Sequence, residues 1–320
     1  MSGPYIMRKN VSRVNDLRGG GNLGLLGAGN VYRVIATGEA YYDQFMYDHQ
    51  FEHTDGSAAV HTTIQSALDA TVSARNDYVL IQPKEADYDL AAALTLSKKS
   101  VHLIGLDSLY GIGAGNACRI HQTGAYPIAI VSDSAIEISG LYLKNYATKG
   151  GIILATGCYG SHIHHCYWAM NLSGATNEPM LGPYIADTGT AGGWSTFEDL
   201  FFQSQAGNNA TIAAVVRVND DATGVRFQRI QIGIGDNNTA TYGIQCDSVK
   251  GMVIDCDFFA YPTDSGGDFT HCITIHGSAV AYGNRGNVAD GKLVEWGGTT
   301  GYGLIQNFNS ASGGTQDEED

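Results

Sequence analysis

One short pattern returns seven times along this chain, and no other feature constrains the fold as tightly. It is an apolar residue, two small or polar residues, then a hydrophobic cluster. It reads Leu-Ile-Gly-Leu from Leu103, Ile-Ser-Gly-Leu-Tyr-Leu from Ile138 and Ile-His-His-Cys-Tyr-Trp from Ile163. It continues as Phe-Glu-Asp-Leu-Phe-Phe from Phe197, Phe-Gln-Arg-Ile-Gln-Ile from Phe227, Ile-Asp-Cys-Asp-Phe-Phe from Ile254 and Tyr-Gly-Asn-Arg from Tyr282. Successive starts lie 35, 25, 34, 30, 27 and 28 residues apart. A period of that size belongs to chains that stack similar coils, each burying its apolar side against the next. The position three after each start reads Leu106, Leu141, Cys166, Leu200, Ile230, Asp257 and Arg285. Five after the start, the middle coils carry Leu143, Trp168, Phe202, Ile232 and Phe259. Interior columns running through a stack produce this agreement.

Composition fits many short strands joined by tight turns: 42 Gly, 18 Tyr, only 6 Pro, and 16% charged residues in a chain of 320. The net charge of -14, with an acidic end at Gln316-Asp317-Glu318-Glu319-Asp320, leaves no Lys/Arg stripe to neutralise phosphates and argues against nucleic acid as a partner. Six cysteines, at 118, 158, 166, 246, 256 and 272, show no CxxC spacing and read as reduced core or turn thiols. Met-Ser-Gly-Pro-Tyr opens the chain without a charged-then-apolar signal segment, and no 18-residue apolar run occurs. The expectation is a protein made in a cytoplasm, not exported through a cleaved signal, with no membrane partner and no cofactor.

Residues 1–30 form an arm, basic at Arg8, Lys9, Arg13 and Arg18 and then glycine-rich. Gly19 to Gly24 formally match GxGxxG, but no strand precedes them and no helix follows, so the dinucleotide reading fails its context test. An extended arm lying on a neighbouring subunit fits better. Residues 31–93 are read as a capping region. It holds a strand at 31–35, an aromatic stretch at 41–47, an amphipathic helix at 63–74 and a strand at 78–82. In the helix Ile64, Ala67, Leu68, Thr71 and Val72 fall on one stripe, with Thr62 or Thr63 as N-cap. Such a helix would cover the apolar cross-section and open strand edges that the first coil of a stack exposes. The coils run over 94–285, with strands such as Ile128–Val131, Ile152–Leu154, Val215–Val218, Ile244–Cys246 and Ile273–Ile275. Residues 286–320 are read as a cap and tail, with Trp296, Tyr302 and Phe308 as anchors.

On these residues the chain resembles the right-handed parallel β-helix superfamily, the pectate-lyase-like fold. The run from Thr63 to Ala70, followed by Asp77 to Pro83, looks like that superfamily's first helix and strand, and the bends at Ile138, Ile163 and Ile254 look like its strand–turn–strand repeat. The likeness spans roughly 60–285. It implies an all-β solenoid of about seven coils with an N-terminal capping helix and an extended arm. Family members often stack asparagines at the bend. Here that column reads Ile104, Ser139, His164, Glu198, Gln228, Asp255 and Gly283, with no asparagine ladder. With its arm and acidic tail the chain also looks like bacteriophage virion β-helix proteins: capsid decoration proteins, head fibres and tailspikes, commonly homotrimers.

Chemistry on this superfamily's fold uses acidic residues with calcium and a basic residue in its lyases, or two or three aspartates in its glycosidases. Coils rise by about 4.8 Å, so residues of one column nearly touch. In the register read here Glu198 and Asp255 share a column two coils apart, roughly 9–10 Å, at the upper edge for inverting glycoside hydrolysis. They are the candidate acid and base, with Arg229 and His165 flanking. Against this, bends are normally polar and satisfied by turn hydrogen bonds. Asn219-Asp220-Asp221 loosely resembles a glycosidase Asp pair without the downstream motifs that would complete it. His162 and His164 share a strand face and suit zinc by type, with Cys256 two coils on, but no matched second pair of ligands accompanies them. Asp43, Asp48, His49, Glu52, His53 and Asp55 form a further polar cluster, read as a subunit contact or a solvated segment.

Three functions follow from this reading. The favoured one is a non-enzymatic virion component: a decoration, spike or fibre protein, trimeric, attached to capsid or tail proteins through residues 1–30. The alternatives are a polysaccharide-degrading lyase or hydrolase, whose groove the 171–196 insertion would line, and an adhesin that binds host surface polysaccharide without cleaving it.

Overall fold

The computed structural model describes residues 29–309 apart from 54, 107–117, 125, 146–150, 156, 171–182, 186–192, 205–210, 219–221, 236–237, 247–249, 261–267, 276–278, 288–291, 297–303 and 306–307. The arm up to residue 28, the Asn219–Asp221 motif, most of the 171–196 insertion and the acidic tail lie outside the described residues.

Strands dominate, and every described strand pair is parallel. From Asp77–Ile81 onward the chain visits three sheets in rotation. The first holds Val101–Gly105, Glu137–Ser139, His162–His164, Thr196–Glu198, Arg226–Gln228, Met252–Ile254, Val280–Tyr282 and Leu304–Ile305. The second runs from Tyr88–Leu90 through Arg119–Gln122, Tyr142–Asn145 and Tyr167–Met170 to Phe308–Asn309. The third runs from Leu94–Leu96 to Lys292–Trp296 in eight strands, one per circuit. Parallel neighbours need a crossover between them, and here the other two sheets provide it. Strands therefore continue past residue 285, where the regular stack was expected to stop. Trp296, taken as an anchor, lies on a strand in register with Ile275.

The repeat reports these columns. Leu103, Ile138, Ile163, Phe197 and Phe227 stand in register on the first sheet, all buried, and Ile120, Leu143, Trp168, Phe202 and Ile232 do so on the second. Rings stack along them, Trp168 on Phe202 at 4.9 Å and Phe197 on Phe227 at 5.0 Å. Each such side chain withdrawn from water contributes about 1.5–3 kcal/mol.

The last two repeats correct the alignment by one residue. Val253 and Ala281, not Ile254 and Tyr282, continue the first column, and Phe258, not Phe259, continues the second. Side-chain direction alternates along a strand, so a one-residue slip exchanges inside for outside. In the true register the position three after the start is Cys256 and Asn284, both fully buried, rather than Asp257 and Arg285. Asn284 holds its bend by accepting from the Cys256 N–H at 2.9 Å and donating to the Val253 carbonyl at 3.0 Å.

Two helices serve the leading end. The helix expected over 63–74 spans Ile64–Ala70 (α2 here), capped by the Thr63 hydroxyl on the Ser66 N–H, with Ile64, Ala67 and Leu68 buried in the core. It stops before Val72, whose N–H turns to the Asp77 carboxylate at 2.7 Å and whose side chain is exposed. α2 also closes an open sheet edge. The Gln65 amide accepts from the Thr95 N–H at 2.9 Å and reaches the Thr95 carbonyl at 3.4 Å, standing in for the missing strand beside Leu94–Leu96. Lys98 donates to the carbonyls of Leu68, Asp69 and Thr71 at the helix end. The aromatic stretch at 41–47 forms the other helix, α1 (Tyr42–His49), which buries Phe45 against Ile35 and Val60.

Candidate functional site

The outward face of the first sheet carries a row of interacting His, Glu, Asp and Arg side chains. Two outward columns flank the buried one. The first reads His102, Glu137, His162, Thr196 and Arg226, and the second Ile104, Ser139, His164, Glu198 and Gln228. Neighbouring circuits bring their side chains into contact, and they form two chains of polar contacts.

One chain starts at the turn before the sheet. The Asn76 Oδ1 faces His102 Nε2 at 2.7 Å, and His102 Nδ1 meets the Glu137 carboxylate. The other Glu137 oxygen accepts from His164 Nε2 at 2.9 Å, and His164 Nδ1 lies 2.7 Å from His165 Nδ1. The second chain runs from His162 Nε2 to Glu198 at 2.7 Å, from Glu198 to Arg229 Nη2 at 3.2 Å, and from Arg229 to both oxygens of Asp199 at 2.7 and 2.8 Å. Tyr78 stacks on His102 at 4.3 Å and His162 on His164 at 4.0 Å.

The electrostatics follow from these partners. Burial opposes ionisation of Glu137, but hydrogen bonds from His102 and His164 outweigh it and hold the carboxyl far below the usual range. The Arg229 guanidinium, forked onto Asp199, lowers that carboxyl against a smaller opposing effect of burial, and Arg229 is raised in turn by the same hydrogen bonds. Both acids stay charged and each is matched.

Backbone geometry places the next residues. Asn76, Ser100, Ala135, Gly160, Trp194, Gly224 and Lys250, one per circuit, lead into the first sheet, all with φ between 57° and 70°. Gly140, His165, Asp199, Arg229, Asp255 and Gly283 lead out of it with φ from 51° to 70°. Nine of the ten described non-glycine residues with positive φ belong to these two left-handed columns; Ala74 is the tenth. The exit turns are tied across circuits: the N–H groups of His165, Asp199, Arg229 and Asp255 donate to the carbonyls of Glu198, Gln228, Ile254 and Tyr282. Gly105 and Gly140 approach so closely that a Cβ on Gly140 would sit 2.5 Å from the Gly105 carbonyl oxygen.

The expected site residues divide on this frame. Glu198, Arg229 and His162 come together, and His165 lies 3.8 Å from Asp199. Asp255 does not join them as expected: Glu198 is in register with Gln228 and, one circuit on, with Ile254, while Asp255 occupies the left-handed exit column beside Gly283. The shared column drawn through Glu198 and Asp255 is displaced by the same one-residue slip. The metal reading meets a similar obstacle. His162 turns Nε2 to the following circuit and His164 turns Nε2 to the preceding one, while Cys256 faces the core. Among the described residues no group of three or more His, Cys, Asp or Glu is placed to hold a metal ion. The polar cluster of the capping region is engaged within the chain. Glu52 pairs with buried Arg33 at 2.8 Å and with His49 at 2.7 Å, and His53 meets the Val31 carbonyl at 2.8 Å. Glu137 and His102, at the centre of the first chain, were missed. Their signal was the residue just before each repeat start, a column left unread.

No protein-family model matches the chain, and no curated protein matches it. Among solved structures "Geobacillus virus E2 - ORF18" is similar, at 12% identity and a TM-score of 0.37 over 80% of this chain. The chain spans 58% of that protein's length.

Proposed function

We propose that the chain is a right-handed parallel β-helix acting as a non-enzymatic structural component of a bacteriophage virion, a decoration, spike or fibre protein assembled as a homotrimer. The rotation through three parallel sheets supports the β-helix, and crossovers between parallel strands are right-handed in nearly all proteins. One observation carries the structural role. Glu137, Glu198 and Asp199 on the regular face are each bound by His or Arg side chains of other circuits, so their charge is used to tie the stack together. The arm at residues 1–30 supports attachment to other virion proteins.

The test is co-purification with particles. The full chain is expected to sediment with virions, a chain lacking residues 1–30 to remain free, and Glu198→Gln with Asp255→Asn to attach normally. Attachment that survives removal of the arm overturns the reading of the arm, and release of sugar from host polysaccharide that disappears in the double variant overturns the non-enzymatic role. A second reading, carbohydrate binding without cleavage, is favoured by one observation. Trp194 and Tyr159, on adjacent circuits at the lip of the same sheet, are 65% and 40% exposed, and rings so placed suit stacking on sugars. Under it Trp194→Ala weakens retention on immobilised host polysaccharide.

A further inference from the structure

The outward columns of the first sheet change character along the stack. Up to Thr196–Glu198 they carry the histidines and acids that bind one another. Beyond that strand one column reads Arg226, Met252 and Val280, and the other Gln228, Ile254 and Tyr282. Met252 is 43% exposed and Tyr282 39%, with Ile254 and Val280 half-buried beside them. A sheet face turned to water is ordinarily polar. Four apolar side chains on two neighbouring circuits instead make one continuous strip. The strip also accounts for the register slip: Ile254 and Tyr282 are as apolar as interior residues, yet alternation turns them outward.

Charge borders the strip, and its sign differs from edge to edge. All strands of the sheet run the same way, so one edge holds their starts and the other their ends. Arg226 opens its strand, and Lys250 stands in the left-handed column leading in; both are exposed. Asp255 stands exposed in the column leading out, its carboxylate laid over Gly283, where a Cβ would come within 2.4 Å of Oδ1. Among the described residues neither Arg226 nor Asp255 makes an ion pair. Three residues, about 10 Å, separate Met252, in the column of Arg226, from Asp255.

We infer that this face is the contact between copies of the chain in the proposed homotrimer. Three copies stand side by side with their stacks parallel and the strips of Met252, Ile254, Val280 and Tyr282 turned to a common axis. The edge of Arg226 and Lys250 on each copy meets the Asp255 edge of the next. A cyclic contact of this kind is head-to-tail and joins two unlike edges of one face. In parallel stacks those edges also meet at the same height. Lys250 lies on the circuit of Asp255, and Arg226 one circuit before it, a rise of about 4.8 Å that an arginine side chain spans. An unlike partner has no reason to need both signs at matched heights on either side of an apolar strip. This builds on the homotrimer of the proposed function and supplies the surface through which it forms.

The experiment uses the full chain at micromolar concentration, with mass from sedimentation equilibrium and fold checked by circular dichroism. Wild type is expected at the mass of three chains. Met252→Lys, and separately Arg226→Glu with Lys250→Glu, should each raise the dissociation constant roughly tenfold or more, because charge is then buried or set against like charge. The spectrum of the chain should not change, since all three positions are exposed. Adding Asp255→Arg to the reversed edge should recover roughly fivefold or more, the coupling expected of groups in contact. That column accepts arginine, as Arg229 shows. Asp255→Asn gives up one exposed pair and should stay trimeric. Wild type at the mass of one chain overturns both the homotrimer and this face. A trimer indifferent to Met252→Lys and to the reversed edge overturns the face and leaves the homotrimer standing. A dimer that responds to the same variants supports the face and overturns the count of three. Reversal that Asp255→Arg fails to rescue overturns the pairing of the edges.

Discussion

Residue identity and backbone conformation are unusually decoupled in the two left-handed columns. The column leading into the first sheet holds Asn, Ser, Ala, Gly, Trp, Gly and Lys at nearly one φ, so the stack imposes the conformation and the residue tolerates it. A non-glycine residue held there costs on the order of 1 kcal/mol. Exposed Ala135, with only a methyl group to lose, is the place to relieve it. Ala135→Gly is expected to raise the unfolding free energy by roughly 0.5–1 kcal/mol in urea titration. Gly140→Ala should lower it by more, because its Cβ meets the Gly105 carbonyl. Such columns are illegible in sequence because no residue type marks them. The slip at Val253–Ile254 has a related cause: two adjacent apolar residues offered two registers, and only the pairing with Phe227 decides between them. A second residue-scale test concerns acid. Burial opposes ionisation of Glu52, yet hydrogen bonds from His49 and Arg33 bring it down to about 2 from an ordinary 4.5. Its contribution to stability is therefore complete above about pH 4.5 and is lost as pH falls toward 2. Wild type should exceed Glu52→Gln in stability at pH 6, and the difference should shrink steadily between pH 4.5 and 2.5.

Among the elements, α2 shows what amphipathic spacing can and cannot tell. Ile64, Ala67 and Leu68 announced the buried stripe, and Thr63 its start. The end was misplaced because Val72 continues the spacing, while the Asp77 carboxylate takes its N–H and turns the chain away. Nothing in a Gln at an exposed helix position signals that it closes a sheet edge. Replacing it tests the role: Gln65→Leu keeps the helix and removes both contacts with Thr95, with an expected loss of about 1–2 kcal/mol. Hydrogen exchange should rise selectively at Thr95. Loss of the same size without selective exchange there would mean the cost lies in α2 itself. The aromatic stretch at 41–47 was not read as a helix because only Phe45 faces inward, too little periodicity to separate helix from loop.

For the whole molecule, the period alone carried the architecture. Seven starts in the twenties and thirties foretold stacked circuits, and the strands named inside them fall within the observed ones from Ile152–Leu154 to Asp268–Ile275, while the first, Ile128–Val131, begins one residue before Ala129–Val131. The far boundary was not legible. Once the register slipped, Asp257 and Arg285 seemed to end the column, although Cys256 and Asn284 continue it inside. The polar site was half visible for the same reason: Glu198, Arg229 and the histidines were named, whereas their matching with Glu137 and Asp199 emerges only when circuits are laid against each other.

Ala135 and Gly160 sit at equivalent points of consecutive circuits, with φ of 57° and 59°. Joining Ala135 directly to Ser161 would excise one whole turn of the chain and reconnect two ends that already share position and direction. A gene for such a protein can lengthen or shorten by unequal recombination at these points without inventing a new loop, and the length of the molecule becomes a heritable variable separate from the design of any one turn.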